Sequence, residues 1–312
     1  MTERDVETCT ARAPGKVVLS GAYSVLEGAP ALVTAVDRYV TADAARPASF
    51  VTPEVREALR GAPAPWFDSS SLRHRDRKLG LGSSAAILVA SLGARALSQG
   101  TLLDEEELRR EVFDVALEAH AFVQQGGSGV DVAASTFGGT LLVKKVSGRL
   151  SFETVRLPPD LHWEVWACDS SASTRHLIAA VWGLKARSAT WFRSLMDEQA
   201  RAAEDAATAL VLGNADALIA ALDAQRAALD KLGGAADALI LTPAVRFLGT
   251  VARSESSAFL PAGAGGGDVA LFVGKQPSSL RFRAQADLRG LSLLPLAFGA
   301  RGLHPLDQRA LK

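Results

Sequence analysis

Residues 78–86 read Lys-Leu-Gly-Leu-Gly-Ser-Ser-Ala-Ala, directly ahead of an apolar run that predicts a helix over Ala85 to about Gln99. A glycine turn feeding a helix N-terminus aims backbone N–H groups and the positive end of the helix dipole at one point, where a polyphosphate would sit. Gly80 and Gly82 let the Gly80-Leu81-Gly82-Ser83-Ser84-Ala85 backbone approach a ligand without Cβ clashes, and Ser83 or Ser84 can offer a hydroxyl to a metal or a phosphate oxygen. Gly-Leu-Gly alone is also the signature of an ordinary capped turn. Its company gives it weight: two further glycine-rich segments, at 126–129 and 263–267, and Lys16 just after Ala13-Pro-Gly15.

Asp131 follows Gly126-Gly-Ser-Gly129, a flexible connection able to present a carboxylate to a cavity. Three glycine loops, a lysine and an aspartate suit phosphoryl transfer, in which catalysis is mainly positioning and charge neutralisation. Taken singly, Asp131 reads as a helix cap or turn residue, and Lys16 as a solvated strand-edge lysine.

The elements that must hold these residues alternate between strand and helix. Strands are expected at Lys16-Val-Val-Leu-Ser20 and Ala31-Leu-Val-Thr-Ala-Val36. Residues 46–75, with prolines at 47, 53, 63 and 65, read as a loop-rich insertion. Helices are expected at 85–99 and 104–124, the second opened by Asp104 and three glutamates, and a short one ends at Gly138-Gly139. Strands at 140–143 and 152–157 precede Pro158-Pro159, the expected boundary between domains 1–158 and 159–312. Beyond it come a strand at 163–168, a Ser/Thr-rich loop at 170–174, a helical region at about 187–231 broken near Gly213-Asn214, a helix at 243–255 and a strand at 269–273. The order lacks a regular βαβ rhythm, so the fold class is α+β with two lobes.

Composition narrows the function classes. The 312 residues balance 34 Lys and Arg against 34 Asp and Glu, so no global field draws the chain to nucleic acid or to an anionic membrane. Only Cys9 and Cys168 occur, without metal-ligand spacing, as expected of a reduced intracellular protein. No apolar run nears 20 residues and the first residues are charged, so a soluble, cytoplasmic protein is expected.

Three segments in order carry a resemblance to the GHMP kinase family: Ala13-Pro-Gly-Lys-Val-Val-Leu-Ser-Gly-Ala-Tyr-Ser-Val-Leu-Glu-Gly28, Gly80-Leu-Gly-Ser-Ser-Ala-Ala86 and Pro261-Ala-Gly-Ala-Gly-Gly-Gly-Asp268. The resemblance implies an N-terminal lobe related to ribosomal protein S5 domain 2, a ferredoxin-like C-terminal lobe and an active site between them. It also implies ATP-dependent phosphorylation of a small molecule, with no Walker A loop and the second segment taking that role. Lys78, Ala29–Tyr39, Gly127–Ala133 and Ser171-Ala-Ser-Thr174 are most similar to the phosphomevalonate kinase branch.

On that resemblance Lys16, Lys78 and Asp131 are expected to be catalytic, and residues 80–85 to bind the phosphates of ATP. Mg²⁺ is expected to be held by ATP and Ser84. The phosphomevalonate acceptor would meet Lys16, Arg38, Ser128, Gly129, Asp131, Ser173, Arg175, Ala264 and Gly265, since a substrate already bearing a phosphate and a carboxylate needs extra cations. Partners are small molecules only, in a monomer or homodimer. Two departures stand out. The glutamate that many mevalonate kinases place eleven positions before the aspartate, as a magnesium ligand, is His120 here. Glu118 lies about 200° round the helix from it, and His120 reads either as a phosphate contact or as a residue near a helix end. Ala22 stands where many relatives carry a glutamate.

Overall fold

A computed structural model describes residues 9–74, 77–100, 104–146, 148–170 and 173–306. In chain order its elements are β1 (Thr10–Ser20), β2 (Ala31–Pro47), α1 (Pro53–Leu59), β3 (Pro65–Asp68), β4 (Arg73–His74), β5 (Arg77–Lys78), α2 (Ser83–Ser98), α3 (Glu105–Gln124), α4 (Val130–Phe137), β6 (Thr140–Val146) and β7 (Arg149–Val155). There follow β8 (His162–Ala167), α5 (Thr174–Arg187), α6 (Ala189–Val211), α7 (Ala215–Ala236), α8 (Pro243–Ser254), β9 (Ala258–Pro261), β10 (Val269–Gly274), α9 (Leu280–Asp287), β11 (Ser292–Leu294) and β12 (His304–Pro305). The chain forms two compact units. The first gathers residues up to Lys16, Thr34–Gly139 and Ala297 onward; the second holds Val17–Val33 and Thr140–Leu296. Pro158-Pro159 falls between β7 and β8, inside the second unit.

In the first unit β12 pairs antiparallel with β1, Ala11 facing Pro305 and Arg12 facing His304, and β3 pairs antiparallel with β2. Helix α2 is buried on nearly every face, Ala85 through Ser91 without a break, as expected of an apolar helix enclosed by others. Gly93 on α2 is a close-packing point: a Cβ there would stand 2.6 Å from Leu303 Cδ1. Helix α3 starts on a reciprocal cap, in which the Asp104 carboxylate accepts from the N–H groups of Glu106 and Glu107 while the Glu107 side chain accepts from the Asp104 N–H.

Residues 46–74 are more ordered than the expected loop-rich insertion. Its prolines sit where proline is tolerated, not where it breaks structure. Pro53 occupies the first turn of α1 behind Thr52, whose hydroxyl accepts from the Val55 N–H at 3.3 Å, and Pro65 opens β3.

In the second unit the four-stranded antiparallel sheet runs β11-β8-β10-β9, so its strands in chain order are placed fourth, first, third, second. With helices between the first and second strands and between the third and fourth, this is the split βαβ arrangement of ferredoxin-like folds. Its buried aromatic centre is Phe282, which Trp166, Phe259 and Phe272 each meet edge-on. The helical region runs past 231 to Ala236, and Gly233 lies against the Ala238 carbonyl, where a Cβ would come within 2.7 Å. It breaks at Gly213-Asn214 as expected, and the Asn214 side chain caps α7 by accepting from the Ala217 N–H. Helix α5 lies ahead of the expected start at 187; Leu177, Val181 and Leu184 were its apolar stripe. Among the described residues, no helix is long and apolar enough to cross a membrane.

Candidate active site

The loop before α2 carries two glycines in the left-handed region, Gly80 at φ 66° and Gly82 at φ 73°. Gly82 caps the helix in the left-handed conformation, φ 73°, and brings no side chain to the first-turn N–H groups. Lys16 lies along this loop. Its backbone N–H donates to the Leu81 carbonyl at 2.9 Å and its ammonium to the Gly80 carbonyl at 3.2 Å. Its stem packs so closely on Gly82 that a Cβ there would stand 2.9 Å from Lys16 Cγ. Gly15 interlocks with the other side, since a Cβ on it would meet the Leu81 carbonyl oxygen at 2.9 Å. A cation is thus held at the mouth of a helix N-terminus by backbone contacts.

Ser84, in the first turn of α2, donates its hydroxyl to Glu54 Oε1 at 2.8 Å. Gln124 Nε2, at the end of α3, donates to the same oxygen at 2.7 Å. Glu54 is buried, 4% exposed. No residue reasoning from sequence singled it out; the available signal was Thr52-Pro53-Glu54, a helix start with an acidic first turn.

Asp131 sits in the first turn of α4, which begins after Gly129 at φ 74°. Its Oδ2 lies 3.4 Å from Nε2 of His120, a buried residue on the last turns of α3, and its Oδ1 accepts from the Val132 N–H. One turn on, Ser135 Oγ donates to the Pro14 carbonyl at 2.9 Å and so ties α4 to the strand that carries Lys16. His120 is therefore no mere helix-end residue: it turns inward onto Asp131. Glu118 is exposed and pairs with Arg60 at 3.3 Å. Ser128 belongs to the same turn, its Oγ accepting from the Val130 N–H at 3.5 Å.

The other expected cations are placed differently. Arg38 donates to the Ser71 carbonyl at 3.4 Å, and Lys78 is exposed on the β4–β5 hairpin, Lys78 facing Arg73, without an ion pair among the described residues. Within the second unit, Tyr23 Oη donates to the Ala264 carbonyl at 2.6 Å and joins the first glycine segment to the third. Gly265 lies on Ile240, where a Cβ would come within 2.2 Å of its carbonyl oxygen, so only glycine fits. Ser173 and Arg175 are exposed at the start of α5, and Ala22 packs against the apolar core. Ser171 lies outside the described residues.

Residues 68–139, which carry both the serine loop and Asp131, match the GHMP kinases N terminal domain family. The chain resembles the GHMP kinases. The phosphomevalonate kinase of Streptomyces sp. (strain CL190) is 27% identical over 95% of this chain and 98% of that one. The mevalonate kinase of Pyrococcus abyssi is 29% identical over 55% of this chain and 60% of its own. In fold, the chain resembles the Streptococcus pneumoniae phosphomevalonate kinase solved with phosphomevalonate and AMPPNP, at TM-score 0.72, 18% identity and coverage of 93% and 99%. The chain thus has the α+β fold of the GHMP kinases. Oxygen donors suit Mg²⁺, and the Ser84 hydroxyl backed by the Glu54 carboxylate is a donor set of that kind.

Proposed function

We propose that this protein transfers the γ-phosphoryl group of ATP to the phosphate of (R)-5-phosphomevalonate, giving (R)-5-diphosphomevalonate and ADP. An acceptor phosphate oxygen forms the new P–O bond as the bond from the γ-phosphorus to the β-bridging oxygen breaks. Whole-length similarity to the Streptomyces phosphomevalonate kinase carries this reading, since the mevalonate kinase of P. abyssi aligns with little more than half of the chain.

The β- and γ-phosphates would lie over residues 80–85, on the N–H groups that Gly82 leaves uncapped. Lys16, already held on that loop, offsets charge on the transferring group; Lys78 and Arg38 are the further cations of the same unit available to a doubly anionic acceptor. Bound Mg²⁺, held through Ser84 and ATP, would neutralise the β/γ oxygens. An ionised phosphate acceptor needs little deprotonation, so Asp131 orients the acceptor and shapes the local field and does not serve as an obligatory base.

A second reading, mevalonate as acceptor, is favoured by the P. abyssi relative and makes Asp131 a true base. ADP release measured with MgATP and, in parallel, phosphomevalonate, mevalonate and diphosphomevalonate separates them. Turnover with phosphomevalonate alone is the expected result. Turnover with mevalonate alone would replace the first reading by the second, and silence with all three would overturn both.

A further inference from the structure

Position 120 is a histidine turned onto Asp131, and Glu118 faces out to Arg60. The chain nevertheless buries a carboxylate at the serine loop and brings it from a different element. Glu54 on α1 is 4% exposed, and its Oε1 accepts from both Ser84 Oγ and Gln124 Nε2. Among the described residues, no lysine, arginine or histidine stands within ion-pair distance of it. Taking a carboxylate out of water without a cationic partner is costly, and buried carboxylates are as a rule paired or set beside metal ions. Two neutral donors and the nearby helix N-termini offset part of that cost.

We infer that Glu54 supplies the negative charge of the divalent-cation site at Ser84, acting from behind the serine. By accepting the hydroxyl proton it leaves the Ser84 oxygen lone pairs to face the cation. A carboxylate placed behind a ligand fixes that ligand's orientation and raises its basicity. Gln124 fixes the carboxylate in turn. Helix α3 thus supplies the amide that holds the carboxylate, and α1 supplies the carboxylate itself. The inference rests on the ATP-dependent reading above.

The test uses Mn²⁺ as the probe and AMPPNP as the nucleotide, read by electron paramagnetic resonance and water-proton relaxation. Glu54→Gln keeps an acceptor oxygen for Ser84 and Gln124 and removes the charge. It is expected to weaken Mn²⁺ binding to the AMPPNP complex by roughly 10- to 100-fold. Affinity for AMPPNP in EDTA should stay unchanged, and the metal-free melting temperature should not fall. Wild-type Mn²⁺ affinity in this variant overturns the inference and leaves the kinase reading intact. If Glu54→Gln does not fold, Glu54→Asp, whose shorter side chain draws the carboxylate back from Ser84, replaces it and should weaken Mn²⁺ binding in the same assay; unchanged Mn²⁺ affinity there overturns the inference equally. A wild-type protein that binds no Mn²⁺·AMPPNP overturns the inference together with the ATP reading.

Discussion

His120 and Asp131 face each other across the Gly126–Gly129 reversal, Nε2 to Oδ2 at 3.4 Å, although they lie on separate helices. The imidazole holds one oxygen of a carboxylate whose other oxygen accepts a backbone N–H. Asp131 is thereby presented in one orientation. Asp131→Ala is expected to lower kcat by about 10²-fold, the scale for losing one aimed electrostatic contact, with an unchanged far-ultraviolet circular dichroism spectrum. Near wild-type turnover would remove Asp131 from the proposed site.

Gly82 is where the loop, the helix start and Lys16 meet. Gly82→Ala forces a Cβ to 2.9 Å from Lys16 Cγ and places an L-residue at φ 73°, a strain of roughly 1–2 kcal/mol by itself. Calorimetric titration should show AMPPNP affinity falling at least tenfold, on the order of 1.4 kcal/mol. Unchanged affinity would place the nucleotide elsewhere.

Lys78 differs in kind from Lys16 because it is exposed and tied to nothing charged among the described residues. Its field is screened by salt over a Debye length of about 8–10 Å at ordinary ionic strength. Lys78→Ala is expected to raise KM for phosphomevalonate and to flatten the dependence of that KM on salt, while KM for ATP stays put. An unchanged salt profile would assign Lys78 to the solvated surface.

Tyr23 takes up φ 64° and reaches the Ala264 carbonyl with its hydroxyl. Tyr23→Phe leaves that acceptor without its donor, at about 1–3 kcal/mol. The expected signature is faster amide exchange at 263–267 and a lower denaturation midpoint. Exchange confined to other segments would show that the glycine loop does not depend on the Tyr23 hydroxyl.

Acid should act first on the β1–β12 pair. His304 faces Arg12, has its Nδ1 2.7 Å from the Gly302 carbonyl oxygen, and lies near Arg109 and Arg301. Burial, chiefly, and these guanidiniums hold its pKa below the ordinary histidine value. A depressed value means that the folded state favours the neutral ring. The associated stability is therefore complete above about pH 6.5 and drains away as pH falls toward the folded-state value. Melting temperatures between pH 7 and 5 should fall less steeply in His304→Asn than in the wild type; parallel curves would clear His304.

The serine loop and its helix were legible because glycine placement and an apolar run act locally: α2 starts at Ser83 and ends at Ser98, close to the expected 85–99. The start of α3 at Asp104 was legible for the same reason. Glu54 was not. The prolines around it read as breakers, whereas Pro53 and Pro65 open regular elements, and nothing in residue type announces that a glutamate will be buried. The His120–Asp131 pair was hidden by the reversal between them. Gly126 and Gly127 adopt φ 118° and 127°, and sequence specifies that glycines are there without specifying which way they turn the chain.

The first unit is stitched from distant stretches of sequence, and its edge partner for β1 is residues 304–305, with Leu303 filling the space over Gly93. On a ribosome, a nascent chain that has exposed residues up to 296 holds everything the second unit needs, yet leaves β1 an unpaired edge and Gly93 uncovered. Closing a loop of nearly the whole chain is slow, and open edges in the interval invite wrong partners. Assembly therefore runs against the reading order: the unit carrying the serine loop begins first and closes last.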